Sequence, residues 1–200
     1  MRKIGKFINL ILGGLIGFIY FGQLGLVIPL NSRISGRKKI QIAKGFGAGS
    51  GLWIDAIQTY GNISYSPKIE IGRGVNFGYD CHIGAVGNIK IQDGVLFGSR
   101  ILVTDHSHGK YFGLDVSNPF ETRPIDRPLG NSGSILIEKN VWICDGVVIL
   151  GGVTIGEGSI VAANSIVTTS ISPGVIVGGA PAKVIKKFSK ELNQWIGVQL

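Results

Sequence analysis

The chain has 200 residues, 44% of them hydrophobic and 16% charged, which is enough apolar material for one folded domain and unlike a disordered chain. Its net charge of +8 is confined to one end: Arg2, Lys3, Lys6, Arg33, Arg37, Lys38, Lys39 and Lys44 lie in residues 1–50 with no acidic residue, and from Asp55 onward 12 basic and 12 acidic residues balance. Two cysteines, Cys81 and Cys144, are too few for a disulfide framework, and no nucleic-acid partner is expected, because no basic groove interleaved with aromatics accompanies the charge.

The first predicted element occupies residues 1–34. Between Lys6 and Arg33 runs FINLILGGLIGFIYFGQLGLVIPLNS, which carries no charge and is long enough to cross a bilayer if helical. Gly13, Gly14, Gly17, Gly22 and Gly25, the polar Asn9 and Gln23, and nearly equal basic flanks all weigh against a stable span. A helix lying in the interface with its basic ends on anionic headgroups fits the same residues. So does an apolar helix packed on the domain or on a partner subunit. No small-x-small cleavage site precedes Asn31, so secretion is not expected.

Residues 35–187 form the next predicted domain, and a repeat of six spans most of residues 40–178 within it. From residue 137 the chain reads IEKNVW, ICDGVV, ILGGVT, IGEGSI, VAANSI, VTTSIS, with Ile or Val at every first position. Six such residues in register arise by chance roughly once in a thousand frames. The fifth positions, Val141, Val147, Val153, Ser159, Ser165 and Ile171, stay small or aliphatic. The same register holds at Ile71, Phe77 and Ile83, then after a two-residue slip around Gly87 to Lys90 at Ile91, Phe97 and Val103, and weakly at Ile42, Ala48 and Ile54. Neither a helix nor a simple strand has this period. Short strands joined by tight turns do, with first and fifth positions inward, and the expected fold is an all-β solenoid of β-coils.

The [LIV]-G-x4 repeat, NVWIC at 140–144, GVTIGEGSIVAANSIVT at 152–168 and GGAPAKVIKK at 178–187 resemble the hexapeptide-repeat acyltransferases over residues 40–187. Within that family the chain is most similar to sugar and surface-polysaccharide O-acetyltransferases. The resemblance implies a left-handed parallel β-helix, a homotrimer with active sites between subunits, acetyl-CoA as co-substrate and no metal. Residues 188–200 are expected to form a short C-terminal helix or tail.

The repeat breaks between Val103 and Ile135, and an extruded loop is expected over residues 107–134. Long loops on rigid scaffolds are where sites tend to lie. It opens on TDHSHG at 104–109, whose histidines could be a base, metal ligands or polar loop residues. Histidine suits the task of taking a hydroxyl proton near neutral pH. By resemblance the base is His106 if the family's phrases are aligned, or His108 if residues are counted from the last repeat; the phrase alignment is favoured. The resemblance also puts Trp142 at the thioester, the Asp145 N–H at the oxyanion, and Ala163, Thr168, Thr169, Lys183 and Lys186 along coenzyme A. On the acceptor side it suggests Asp80, while Arg123 and Arg127 in the loop suit a sugar-binding wall.

Three rivals remain open at this point. A carbonic anhydrase class shares the β-helix but binds zinc through three histidines in a different spacing. A non-catalytic solenoid would need neither the histidine loop nor the GGAPAK ending. An N-acetyltransferase acting on a nucleotide-linked amino sugar would use the same base and groove.

Overall fold

The computed structural model describes residues 2–111 and 116–198, wound into three parallel sheets that form the faces of a β-helix. The first face stacks Arg33–Ser35, Trp53–Ala56, His82–Ala85, Leu102–Thr104, Val148–Leu150 and Ile166–Val167. The second stacks Ile40–Ile42, Lys68–Ile71, Asn88–Ile91, Ile135–Ile137 and Thr154–Ile155. The third stacks Gly47–Ala48, Asn76–Phe77, Leu96–Phe97, Trp142–Ile143, Ile160–Val161 and Val175–Gly178.

The hexad frame is the inner ladder of this fold. Ile137, Ile143, Ile149, Ile155, Val161 and Val167 are each no more than 1% exposed, and Ile149 pairs with Val167 one regular coil, or three hexads, away. The fifth positions are buried as expected, and Ser159 and Ser165 remain satisfied because their hydroxyls donate to Ser172 O and Ala162 O. Full burial of each Ile or Val contributes roughly 1.5–3 kcal/mol, repeated coil after coil. Phe77 and Phe97 stack at 4.2 Å inside the third face, continuing the same ladder.

The corner between the third and first faces is a column of left-handed residues: Gly51, Asp80, Arg100, Gly146 and Asn164. Each of Asp80, Arg100, Gly146 and Asn164 donates its N–H to the coil below, as Asp80 does to Ser50 O at 2.9 Å. Asp80 is thus an exposed corner residue at φ 55°. Asp and Asn tolerate this conformation better than most side chains.

The C-terminal end of the chain departs from the sequence expectation, whereas the N-terminal helix is found. Among the described residues no C-terminal helix forms. Lys183–Ser189 instead folds back antiparallel on Val175–Gly178, and Gln194–Gly197 pairs with it in turn, with Phe188 edge-on to Trp195 at 5.3 Å. The open edge of the last coil offers unpaired N–H and C=O groups, and satisfying them overrides local helix propensity. Residues 199 and 200 of the expected tail lie outside the described residues.

At the other end an α-helix, Arg2–Phe21, stops at Gly22, whose N–H bonds Phe18 O. The chain then joins the solenoid at Leu26 and Ile28, both fully buried, ahead of the boundary expected at residue 35. The apolar stretch is therefore split between helix and core. Among the described residues no helix is long and apolar enough to cross a membrane.

Candidate active site

The histidine motif sits where the first face turns toward the second. Thr104 ends its strand, and Asp105 turns inward with none of its surface exposed. Its two carboxylate oxygens accept from the Val86 and Gly87 N–H groups, each at 2.8 Å. Those amides belong to the two-residue slip in the repeat. A side chain on Gly87 would collide with the Asn131 amide, so the slip, the glycine and the carboxylate form one fitted unit.

His106–His108 then pairs antiparallel with Leu129–Asn131, which closes the base of the extruded loop. Alternate residues of a strand share a face, so both histidines point the same way. They line a cleft of about 560 Å³ with Ser35, Trp53, Asp55, Tyr60 and His82. A larger open groove of about 950 Å³ runs along the second face, between Gln41, Glu70, Arg73 and Lys139, and has no histidine.

The two histidines differ in what stands behind them. His106 Nδ1 lies 3.2 Å from Thr104 Oγ1 and 3.3 Å from Asp105 Oδ1, leaving Nε2 for a substrate. A carboxylate at Nδ1 fixes that tautomer and stabilises the imidazolium that forms when Nε2 takes a proton. His108 Nδ1 lies 3.3 Å from the Tyr60 hydroxyl, which itself donates to Ile125 O at 2.7 Å. The single Tyr60 proton is thus engaged, and His108 is held by the loop rather than by an acid.

His106 also lies directly over Gly84, where a Cβ would come within 3.0 Å of its Cε1. Beside it His82 stacks on Trp53 at 3.9 Å, with the Arg33 guanidinium 5.8 Å from the indole centre. Burial pushes the His82 imidazole below its usual pKa; the Asp55 carboxylate opposes this, and His106 adds to the lowering. The balance favours the neutral ring. The Ser35 hydroxyl bonds Asp55 and completes the polar rim.

Sequence reading missed Trp53, Asp55, Tyr60 and Gly84. It also missed a second insertion at residues 57–67, where Thr59–Tyr60 and Ile63–Ser64 form a small hairpin. Its tyrosines clasp the histidine loop: Tyr60 through Ile125 O, and Tyr65 by accepting the Leu129 N–H at 2.8 Å. The long interval between Ile54 and Ile71 in the repeat was the signal available.

The residues expected on coenzyme A gather elsewhere. Trp142, 47% exposed, lies in an outward row of the third face with Leu96, Ile160, Ile176 and Lys186. Lys183 pairs with Gly178 on the same sheet. Asp145 and Ala163 occupy the corner between third and first faces, where Asp145 Oδ1 accepts from Ser99 N, and Thr168 and Thr169 are exposed just beyond the last first-face strand. Asp80 shares that corner. One chain therefore does not bring His106 together with Trp142, Asp145 or Asp80.

The loop arginines bond within the loop itself, Arg123 at its surface and Arg127 inside it. Arg123 pairs with Asp126 at 2.6 Å. Arg127, 8% exposed, donates to Thr122 O, Pro119 O and the Tyr111 hydroxyl. Residues 112–115 of the loop lie outside the described residues. Among the described residues no group of three or more His, Cys, Asp or Glu is placed to hold a metal ion.

Comparison with known proteins speaks to the family and the fold. Residues 134–169 match the bacterial transferase hexapeptide (six repeats) family. The chain is 30% identical over 190 residues to the putative lipopolysaccharide biosynthesis O-acetyl transferase WbbJ of Escherichia coli, covering 94% of this chain and 92% of that protein. In structure it resembles an N-acyltransferase from Bacillus cereus bound to dTDP-4-amino-4,6-dideoxyglucose and coenzyme A, with TM-score 0.68, 22% identity and coverage of 89% and 90% of the two chains. It also resembles a hexapeptide-repeat acetyltransferase of Vibrio cholerae complexed with acetyl coenzyme A, with TM-score 0.54, 26% identity and coverage of 88% and 76%.

Proposed function

This chain belongs to the bacterial hexapeptide-repeat transferases, and from that premise we propose that it is an acetyl-CoA-dependent O-acetyltransferase acting on a sugar hydroxyl in surface-polysaccharide or lipopolysaccharide synthesis. The observation that carries this reading is His106: an imidazole with a buried carboxylate at Nδ1 and Nε2 open to a cleft with a polar rim. Full-length similarity to a lipopolysaccharide O-acetyl transferase supports the acceptor class.

His106 Nε2 takes the proton of the sugar hydroxyl, and Asp105 stabilises the imidazolium. The alkoxide oxygen attacks the thioester carbonyl, and the Asp145 N–H faces the developing oxyanion. As the tetrahedral adduct collapses, the C–S bond breaks and His106 returns its proton to the departing thiolate. Direct transfer fits the cysteines too. Burial pushes both Cys81 and Cys144 above the usual thiol range, so neither is an activated nucleophile.

The coil winds left-handed and three chains assemble, as in the family. The division of the two residue sets between different corners supports this, because a neighbouring subunit could supply the thioester half. The outward row of Trp142, Ile160 and Ile176, with Lys183 and Lys186 at its end, suits pantetheine and phosphates. Ala163, Thr168 and Thr169 extend the same edge. Asp80 would reach an acceptor only across such an interface, while Arg123 and Arg127 act by shaping the loop. Acetyl-CoA places this chemistry in the cytoplasm, at the inner membrane face where lipid-linked saccharides are built.

The test is incubation of the purified protein with labelled acetyl-CoA and saccharide precursors of its host. Alkali-labile label on the saccharide is expected. Alkali-stable label would mean an amine acceptor and N-acetyl transfer, and no label on any saccharide would overturn the reading.

A further inference from the structure

Over its described side chains, from residue 11 on, the N-terminal helix packs on the chain through one face and exposes the opposite one. Gly13 and Gly17, four residues apart, let the helix backbone close on residues 26–28: a Cβ at Gly17 would overlap the Leu26 carbonyl, and one at Gly13 would sit 3.0 Å from Val27. On the far side Ile11, Leu15, Phe18 and Ile19 are 48–63% exposed, and beyond the helix Leu24 and Leu30 are exposed as well. That apolar helix face is not explained by the fold, which already has its core.

The charged residues that flank it in sequence are all basic. Arg33, Arg37, Lys38, Lys39 and Lys44 are exposed, and residues 1–50 contain no Asp or Glu. The Arg37 guanidinium lies 5.5 Å from the Tyr20 ring, which puts the Arg37–Lys39 turn against the end of the helix. Gly36, which opens that turn, lines the histidine cleft. Apolar face, basic turn and cleft are therefore continuous. Self-association through this surface would set the Arg37–Lys39 turns of two copies against like charge, whereas anionic headgroups above acyl chains complement both parts.

We propose that the helix lies flat in the interface of an anionic bilayer and thereby presents the histidine cleft to saccharides carried on a lipid. The docking half stands on the helix and its basic turn; the acceptor half rests on the acetyl-transfer reading above.

The full chain should float with vesicles of phosphatidylcholine mixed with phosphatidylglycerol, less so at high salt, and weakly with phosphatidylcholine alone. Leu15→Glu or Phe18→Glu should lower this partitioning by about tenfold or more, and Arg37→Glu with Lys38→Glu should abolish the preference for the anionic lipid. All three variants should keep their circular dichroism and their acetyl transfer to water-soluble acceptors. Partitioning equal in wild type and variants overturns the docking, as does a change in sedimentation state with no change in vesicle binding, which would make the face a subunit contact. Vesicle binding without faster acetylation of a lipid-carried saccharide overturns the acceptor half, and flotation reads the docking even if no acetyl transfer is found.

Discussion

Asp105 holds His106 from inside the solenoid: its Oδ1 accepts the Val86 N–H and lies 3.3 Å from the imidazole Nδ1, while Oδ2 accepts the Gly87 N–H. The carboxylate thus ties the proposed base to the coil and favours one tautomer. Asp105→Asn keeps the shape but turns an NH2 toward one backbone donor, at a cost of about 1–3 kcal/mol for the unsatisfied pair. The expected result is a lower melting temperature and a fall in kcat with KM for acetyl-CoA unchanged. Thermal melts and steady-state kinetics on the same preparation measure both.

The two histidines make separable predictions. His106→Ala should lower kcat by about 100- to 10,000-fold, the range of a lost general base. His108→Ala loses a contact with Tyr60 and an exposed ring, and its effect should fall mainly on KM for the acceptor. Full activity in His106→Ala with loss in His108→Ala would reverse the assignment.

Gly84 is the floor under His106, and Gly84→Ala tests how finely that floor is set. The added methyl would meet His106 Cε1 at 3.0 Å and His82 Nε2 at 3.5 Å, both movable side-chain ends rather than backbone. Stability should change little while kcat drops by about tenfold to a hundredfold, since small misplacement of a catalytic group is costly. An unaltered kcat would show that the imidazole does not act from this position.

The solenoid was legible because a six-residue period leaves one aliphatic ladder per face, and Ile137 through Val167 could hardly be read otherwise. Tight corners obscured less than insertions did. The hairpin at 59–64 carries no hexad, and the role of Tyr60 and Tyr65 lies in side chains that cross to a loop about sixty residues away. The C-terminal strands were hidden for a related reason: Lys183–Ser189 is extended only because Val175–Gly178 needs a partner. At the site, the motif named the histidines, but the value of Asp105 depends on the slip at Gly87, which brings two free amides to a buried carboxylate.

His82 gives the fold a pH dependence whose sign follows from its surroundings. Burial lowers its pKa in the folded chain below the ordinary 6.5, so the folded state binds the proton less readily than the unfolded one. Above about pH 7 both states hold it neutral, and its contribution to stability is fully present. As pH falls below 6.5, the unfolded chain takes up a proton that the folded chain refuses, and stability declines until the folded pKa is passed. Denaturant titrations between pH 7.5 and 5, bounds set about one unit or more either side of the unperturbed value, should show this decline. His82→Gln should flatten it, because the amide does not titrate. A slope unchanged by the substitution would assign the effect to other groups and leave the stack on Trp53 without a role in it.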